Sequence, residues 1–188
     1  NSYENRVIHI SMNEVENPIR FQIPSLFLPF GISSFTPPMG QTKWSMDLNL
    51  HNYDDESSYI GKFYKFVREL ENIVINSVTE QSSKIFGKPM DKEEIAKIFN
   101  SNIKENQGYD PKFRIKYLPT HTDVFDCDGN DSNIELRDGV LMRHSATCLV
   151  EIPNIWFMNK MFGITWKLIQ FKYKAPQDEN KLTGFKFI

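Results

Sequence analysis

Aromatic and cationic side chains are interleaved over residues 154–174, NIWFMNKMFGITWKLIQFKYK, with no acidic residue among them. Trp156, Phe157 and Trp166 offer flat rings, and Lys160, Lys167, Lys172 and Lys174 offer ammonium groups. Rings stack on the face of any base and ammonium groups meet phosphates, so this mixture suits a sequence-tolerant surface for a single-stranded polynucleotide. A plain barrel strand with a solvated lysine edge fits the same residues. The second half has a strand's period of two: Trp166, Leu168, Gln170, Lys172 and Lys174 point one way, and Lys167, Ile169, Phe171 and Tyr173 the other. Two more stretches present cations away from an apolar face. In 112–118, Lys112, Arg114 and Lys116 oppose Phe113, Ile115 and Tyr117. In 43–50, Lys43 opposes Trp44, Met46, Leu48 and Leu50. Arg114 can also stack its guanidinium on a base.

Other chemistries find little support. DCDGND (126–131) invites a calcium reading, but an EF-hand loop counted from Asp126 would put Asp131 where glycine belongs and Arg137 where glutamate belongs. An Asp-Gly turn between strands is the simpler reading. His9, His51, His121 and His144 make no ligand spacing with Cys127 or Cys148. There is no glycine-rich phosphate loop, Walker lysine or G-x-S-x-G, and Asp54–Asp55 sit in a solvated helix cap. The sequence implies no catalytic residues, no metal and no cofactor.

The 188 residues fit one domain with an insertion, and 40% apolar and 13% aromatic content marks a globular chain. The formal charge of −2 does not by itself advertise a polyanion partner. Its distribution is uneven: Asp47, Asp54, Asp55, Glu56, Glu69, Glu71 and Glu80 face only Lys62, Lys65 and Arg68 between 47 and 80, whereas 160–174 holds lysines alone. A local cationic strip binds phosphates within an acidic protein. Two cysteines fit a reducing compartment or one optional bridge. No apolar run is long enough to span a bilayer, no signal peptide is visible, and a start at Asn1 suggests that native ends lie beyond the chain.

Elements must position these groups. Residues 6–12 and 19–23 read as strands joined by a turn at Glu16–Pro18, and 43–50 as a half-buried strand. Between them, PSLFLPFGISSFTPPMGQ carries four prolines and two glycines, which predicts an irregular connector packed on the barrel through Leu26, Phe27, Leu28, Phe30 and Phe35. An acidic loop at 52–58 leads into one long helix, about 59–86, with Phe63, Phe66, Val67, Leu70, Ile73, Val74 and Val78 at helical spacing. Asp91 and Glu94 form a capping box for a second, short helix. Strands return at 112–118, 123–126 and 145–152, and the 154–174 segment closes the fold. This predicts a mainly β chain: a five- to six-stranded antiparallel Greek-key barrel of the OB type, with a helical insertion at 52–107 and a C-terminal extension at 175–188. Within that extension, Gly184–Ile188 suits an edge strand or a docked tail.

In its order of features the chain resembles the OB-fold single-stranded-DNA-binding proteins of large DNA viruses, a group similar to the replication protein of short-tailed phages. The resemblance rests on Gln22-Ile-Pro-Ser-Leu-Phe-Leu-Pro-Phe-Gly31, the strand ending Met46-Asp-Leu-Asn-Leu50, Phe63-Tyr-Lys-Phe66, Lys112-Phe-Arg-Ile-Lys-Tyr-Leu118, and Trp156 through Phe162-Gly-Ile-Thr-Trp166-Lys-Leu-Ile-Gln-Phe171. It implies a replication, recombination and repair accessory that coats single-stranded DNA, contacts replisome proteins, and works inside the host cell, in a cytoplasmic viral factory or the nucleus. It also leaves a homo-oligomer open and involves no membrane. The expected site is then Lys43, Lys112, Arg114, Lys116, Trp156, Phe157, Lys160, Trp166, Lys167, Lys172 and Lys174. Such proteins commonly end in an acidic tail closed by an aromatic residue, whereas here only Asp178 and Glu179 precede Lys181–Ile188. Two rivals use the same residues differently: a protein-interaction or virion structural module built on the barrel, and an enzyme using Cys127 or the 121–131 loop.

Overall fold

The computed structural model describes residues 6–10, 19–135, 137–158 and 160–176. The sequence expectations for 11–18 and for the Gly184–Ile188 edge strand lie outside them. In chain order the elements begin with β1 (Arg6–His9), β2 (Ile19–Gln22), β3 (Leu26–Leu28), β4 (Ile32–Phe35) and β5 (Lys43–Asn49). The proline-rich connector is therefore not irregular throughout. Its apolar residues alternate well enough to add two short strands between the prolines. Leu26 and Leu28 are fully buried, and the side chain between them, Phe27, points out. Gly31 joins the two strands at φ 68, in the left-handed region, and a Cβ there would lie 2.1 Å from the Val140 carbonyl oxygen.

The helices follow: α1 (Tyr59–Glu80), α2 (Ser82–Phe86) and α3 (Lys92–Ile98). Ser58 caps α1 by accepting from the Gly61 amide at 2.9 Å. The long helix expected over 59–86 breaks at Gln81, after Thr79 Oγ1 turns back to donate to the Ile75 carbonyl. The capping box of α3 forms as its sequence predicts, with Asp91 and Glu94 each accepting from the other's amide. Glu71 of α1 is buried and accepts from Ser101 Oγ at 2.6 Å and the Asn102 amide at 3.3 Å. That buried carboxylate ties the helix to the chain entering the next strands.

Those strands are β6 (Ile103–Lys104), β7 (Lys112–Tyr117), β8 (Asp123–Phe125), β9 (His144–Ile152), β10 (Asn154–Met158), β11 (Met161–Ile164) and β12 (Lys167–Lys174). Five of them close a ring: β9 pairs β3, β3 pairs β5, β5 pairs β7, β7 pairs β12, and β12 pairs β9 again. Numbered by their order in the chain, the ring runs 1-2-3-5-4. Its one parallel contact is β7 with β12. This is the Greek-key barrel of an OB fold. The three helices are inserted between the second and third barrel strands. β10 and β11 form a hairpin between the fourth and fifth, which pairs with β1 in a separate three-stranded sheet.

Inside the ring, Leu48, Phe113, Ile115, Cys148, Val150, Leu168 and Phe171 are buried. Phe63 of α1 plugs one end, with its ring edge-on to Phe113 at 5.2 Å and to Trp166 at 6.4 Å.

Candidate nucleic-acid interface

The outward face of the barrel is set by cross-strand register, since directly paired residues share a face. On β5 and β7 the pairs are Ser45 with Lys116, Asp47 with Arg114, and Asn49 with Lys112. Each row continues into neighbouring strands. Ser45 pairs with Ser33 of β4, and Lys116 with Lys167 of β12. Asn49 pairs with Phe27, which pairs with Ser145 of β9, which in turn pairs with Lys174. Lys43 pairs with Phe35 one step beyond the Ser33–Ser45 row.

Register therefore gathers Lys43, Lys112, Arg114 and Lys116 on one face, with Lys167 beside Lys116 and Lys174 at the end of the Phe27 row. Beside it stand exposed rings: Phe27, Phe30 and Phe35, which the sequence assigns to packing, and Tyr109, which it places in a turn. Phe27, Phe30 and Phe35 are 41%, 50% and 64% exposed, and Tyr109 is 76% exposed. The Lys112 ammonium stands 4.8 Å from the Phe30 centroid and 5.9 Å from that of Tyr109. The missed signal was the buried-exposed-buried pattern of Leu26-Phe27-Leu28, hidden by flanking prolines.

Two expected platforms are corrected. Trp166 is 1% exposed and surrounded edge-on by Phe113 at 4.9 Å and Phe21 at 5.7 Å. It lies ahead of β12, and a bulge between Leu168 and Gln170 then shifts the register. The alternation expected from Trp166 to Lys174 is interrupted there: Leu168 and Phe171, three apart, both face inward, and Lys172 and Lys174 do not share the face of Trp166. Phe157 is likewise buried, stacked on Phe162 with centroids 5.5 Å apart.

Trp156, half-buried on the β10–β11 hairpin, lies across Gly163, where a Cβ would come within 2.9 Å of its ring. Lys160 is exposed at the hairpin tip. Both belong to the three-stranded sheet and not to the β5–β7 face. Lys172 is exposed on β12, where β8 has replaced β7 as neighbour.

Arg114 is not a free cation. Its Nε donates to Asp47 Oδ1 at 2.6 Å and its Nη2 to Oδ2 at 2.7 Å, a bidentate pair that raises the guanidinium pKa above its ordinary value. Lys104, on the adjoining β6, is held below the usual lysine range by burial and then by the nearby Arg114 charge.

Of the groups the enzyme alternative names, Cys127 is an exposed free thiol. Asp126 accepts from the amides of Asp128 and Asn130, each at 2.9 Å, which is an Asx turn. Burial pushes the Cys148 thiol up to about 12. Among the described residues no group of three or more His, Cys, Asp or Glu is placed to hold a metal ion, and no helix is long and apolar enough to cross a membrane.

A family model described as a family of unknown function (DUF5871) matches residues 56–185. No curated protein matches. Among solved structures the chain is similar to the crystal structure of gp2.5, a single-stranded DNA binding protein encoded by bacteriophage T7. The TM-score is 0.52 at 11% identity, covering 91% of this chain and 100% of that one. It is also similar to the single-stranded DNA-binding protein from bacteriophage Enc34, alone (TM-score 0.47, 13% identity, 94% and 96% covered) and in complex with single-stranded DNA (0.49, 11%, 90% and 97%). The T7 likeness is one of fold, and it agrees with the OB barrel traced from the strand pairing.

Proposed function

We propose that this chain, which belongs to the DUF5871 family of unknown function, is a sequence-tolerant single-stranded-DNA-binding protein serving viral DNA replication, recombination or repair. The observation that carries the reading is the β5–β7 face: exposed Phe27, Phe30, Phe35 and Tyr109 set among Lys43, Lys112 and Lys116. In OB folds the second and third barrel strands and the loops beside them take oligonucleotides, and this face is built from those strands. Rings at this spacing stack on bases without asking which base, and the lysines meet phosphates. Lys167, Lys172 and Lys174 extend the cationic edge along β12, and Trp156 and Lys160 offer a separate contact on the hairpin. The T7 protein of the same fold binds single-stranded DNA, which supports the reading. Contacts with replisome proteins and work inside the host cell belong to the same proposal, which involves binding and not catalysis.

The test is fluorescence anisotropy of labelled oligo-dT and mixed-sequence oligonucleotides at low salt. Binding of both with similar affinity, weakening as salt rises, is expected. No binding of either ends the proposal, and co-purification with a protein partner in place of DNA binding would favour the interaction-module alternative.

A further inference from the structure

Asp47 sits where a phosphate-binding face should not carry an acid. It stands on β5 between two rows that hold free lysines, Ser45–Lys116 on one side and Asn49–Lys112 on the other. Each row is two residues away, roughly 7 Å along the strand. Its carboxylate takes two of the five N–H donors of Arg114, one at Nε and one at Nη2, and offsets its charge. The pair is unequally covered: the Asp47 side chain is 17% exposed and that of Arg114 51%. The centre of the face is thus a neutralised ion pair with a flat guanidinium open to solvent, and the rims are cationic.

We propose, on the single-strand reading above, that Asp47 makes this face selective for unpaired strands over duplex. A single strand can turn a base over the clamped guanidinium plane, which is a stacking surface once its fork is filled, while its phosphates reach Lys116 and Lys112 at the rims. A duplex turns its bases inward and offers only phosphates. Its backbone meets the central carboxylate and an arginine whose charge that carboxylate offsets. Asp47 is then a positioning residue for Arg114 and a repulsive element against the wrong partner.

The experiment compares Asp47→Asn, which keeps the shape and removes the charge, with the unaltered chain. Labelled oligo-dT and a labelled duplex of equal length are titrated over a salt series. Duplex affinity is expected to rise about tenfold, with its salt slope steeper by about 0.9 as Arg114 gains a phosphate. Oligo-dT affinity is expected to gain less, because the repulsion removed is offset by a guanidinium no longer held flat for stacking, so the single-to-double-strand ratio falls several-fold. A single-to-double-strand ratio equal to that of the unaltered chain overturns the proposal.

Arg114→Gln guards against mere loosening of the face. It retains the carboxylate, so it should weaken oligo-dT binding and leave duplex binding no stronger. If it strengthens duplex binding as Asp47→Asn does, the acid is not the cause and the proposal falls. Failure of the unaltered chain to bind oligo-dT would instead sink the underlying single-strand reading.

Discussion

At the scale of single residues, function separates from packing by which side of a strand a ring occupies. Trp166 adjoins Lys167 in the sequence yet is sealed among Phe113, Phe21 and Phe63, while Phe35, with no lysine nearby in the sequence, is 64% exposed beside Lys43 through strand pairing. Their alanine variants should part accordingly. Trp166→Ala leaves a large void in the barrel and is expected to cost about 3–5 kcal/mol in urea unfolding. Phe35→Ala is expected to leave the unfolding midpoint within about 0.5 kcal/mol and to weaken oligo-dT binding by about 1–3 kcal/mol. Loss of binding without loss of stability in Trp166→Ala would reverse the assignment. The sequence does not separate Trp166 from Lys172 and Lys174 because a bulge has no residue signature of its own: Leu168, Ile169 and Gln170 read as ordinary strand. Lys43, Lys112, Arg114 and Lys116 were legible because their strands run without interruption from one end to the other.

At the scale of elements, a helix end capped from within its own turn is legible in the sequence, and a short strand among prolines is not. The capping box of α3 belongs to a helix end whose partners lie within four residues, so the sequence contains the whole interaction. β3 takes its hydrogen-bond partners from β9, far along the chain, which no local window holds, and β4 pairs with the neighbouring β5 across a loop that carries two prolines. These strands carry Phe27 and Phe35 and flank Phe30, so their junction is where fold and site meet. Gly31→Ala puts a Cβ against the Val140 carbonyl oxygen at a φ that L-residues avoid. It is expected to lower stability by at least about 2 kcal/mol and to weaken oligo-dT binding more than stability-matched Trp166→Phe does. Equal effects on binding would mean that the aromatic cluster does not depend on this turn.

At the scale of the whole molecule, the electrostatic question is how a chain of net charge −2 can hold a polyanion. Only the charges within about 8 Å of the strand act strongly at physiological salt, because the others are screened. Net charge therefore misleads, and the local count decides. On the β5–β7 face that count is Lys43, Lys112 and Lys116, since Arg114 is offset by Asp47. Lys167, Lys172 and Lys174 add to it where the strand follows β12. For single strands each neutralised phosphate contributes about 0.7 to the slope of log affinity against log salt. The core face alone then gives a slope of about −2, and all six lysines about −4. Replacing Lys112 and Lys116 together by Gln is expected to flatten the slope by about 1.4 and to weaken all oligonucleotides alike, because these lysines read phosphate and not base. Replacing Phe30 by Leu should lower affinity while leaving the slope where it was, since a stacked ring releases no counterion. A slope unmoved by the lysine pair would place the polynucleotide elsewhere on the barrel, and a slope moved by Phe30 would show that the ring acts only by steering the Lys112 ammonium beside it.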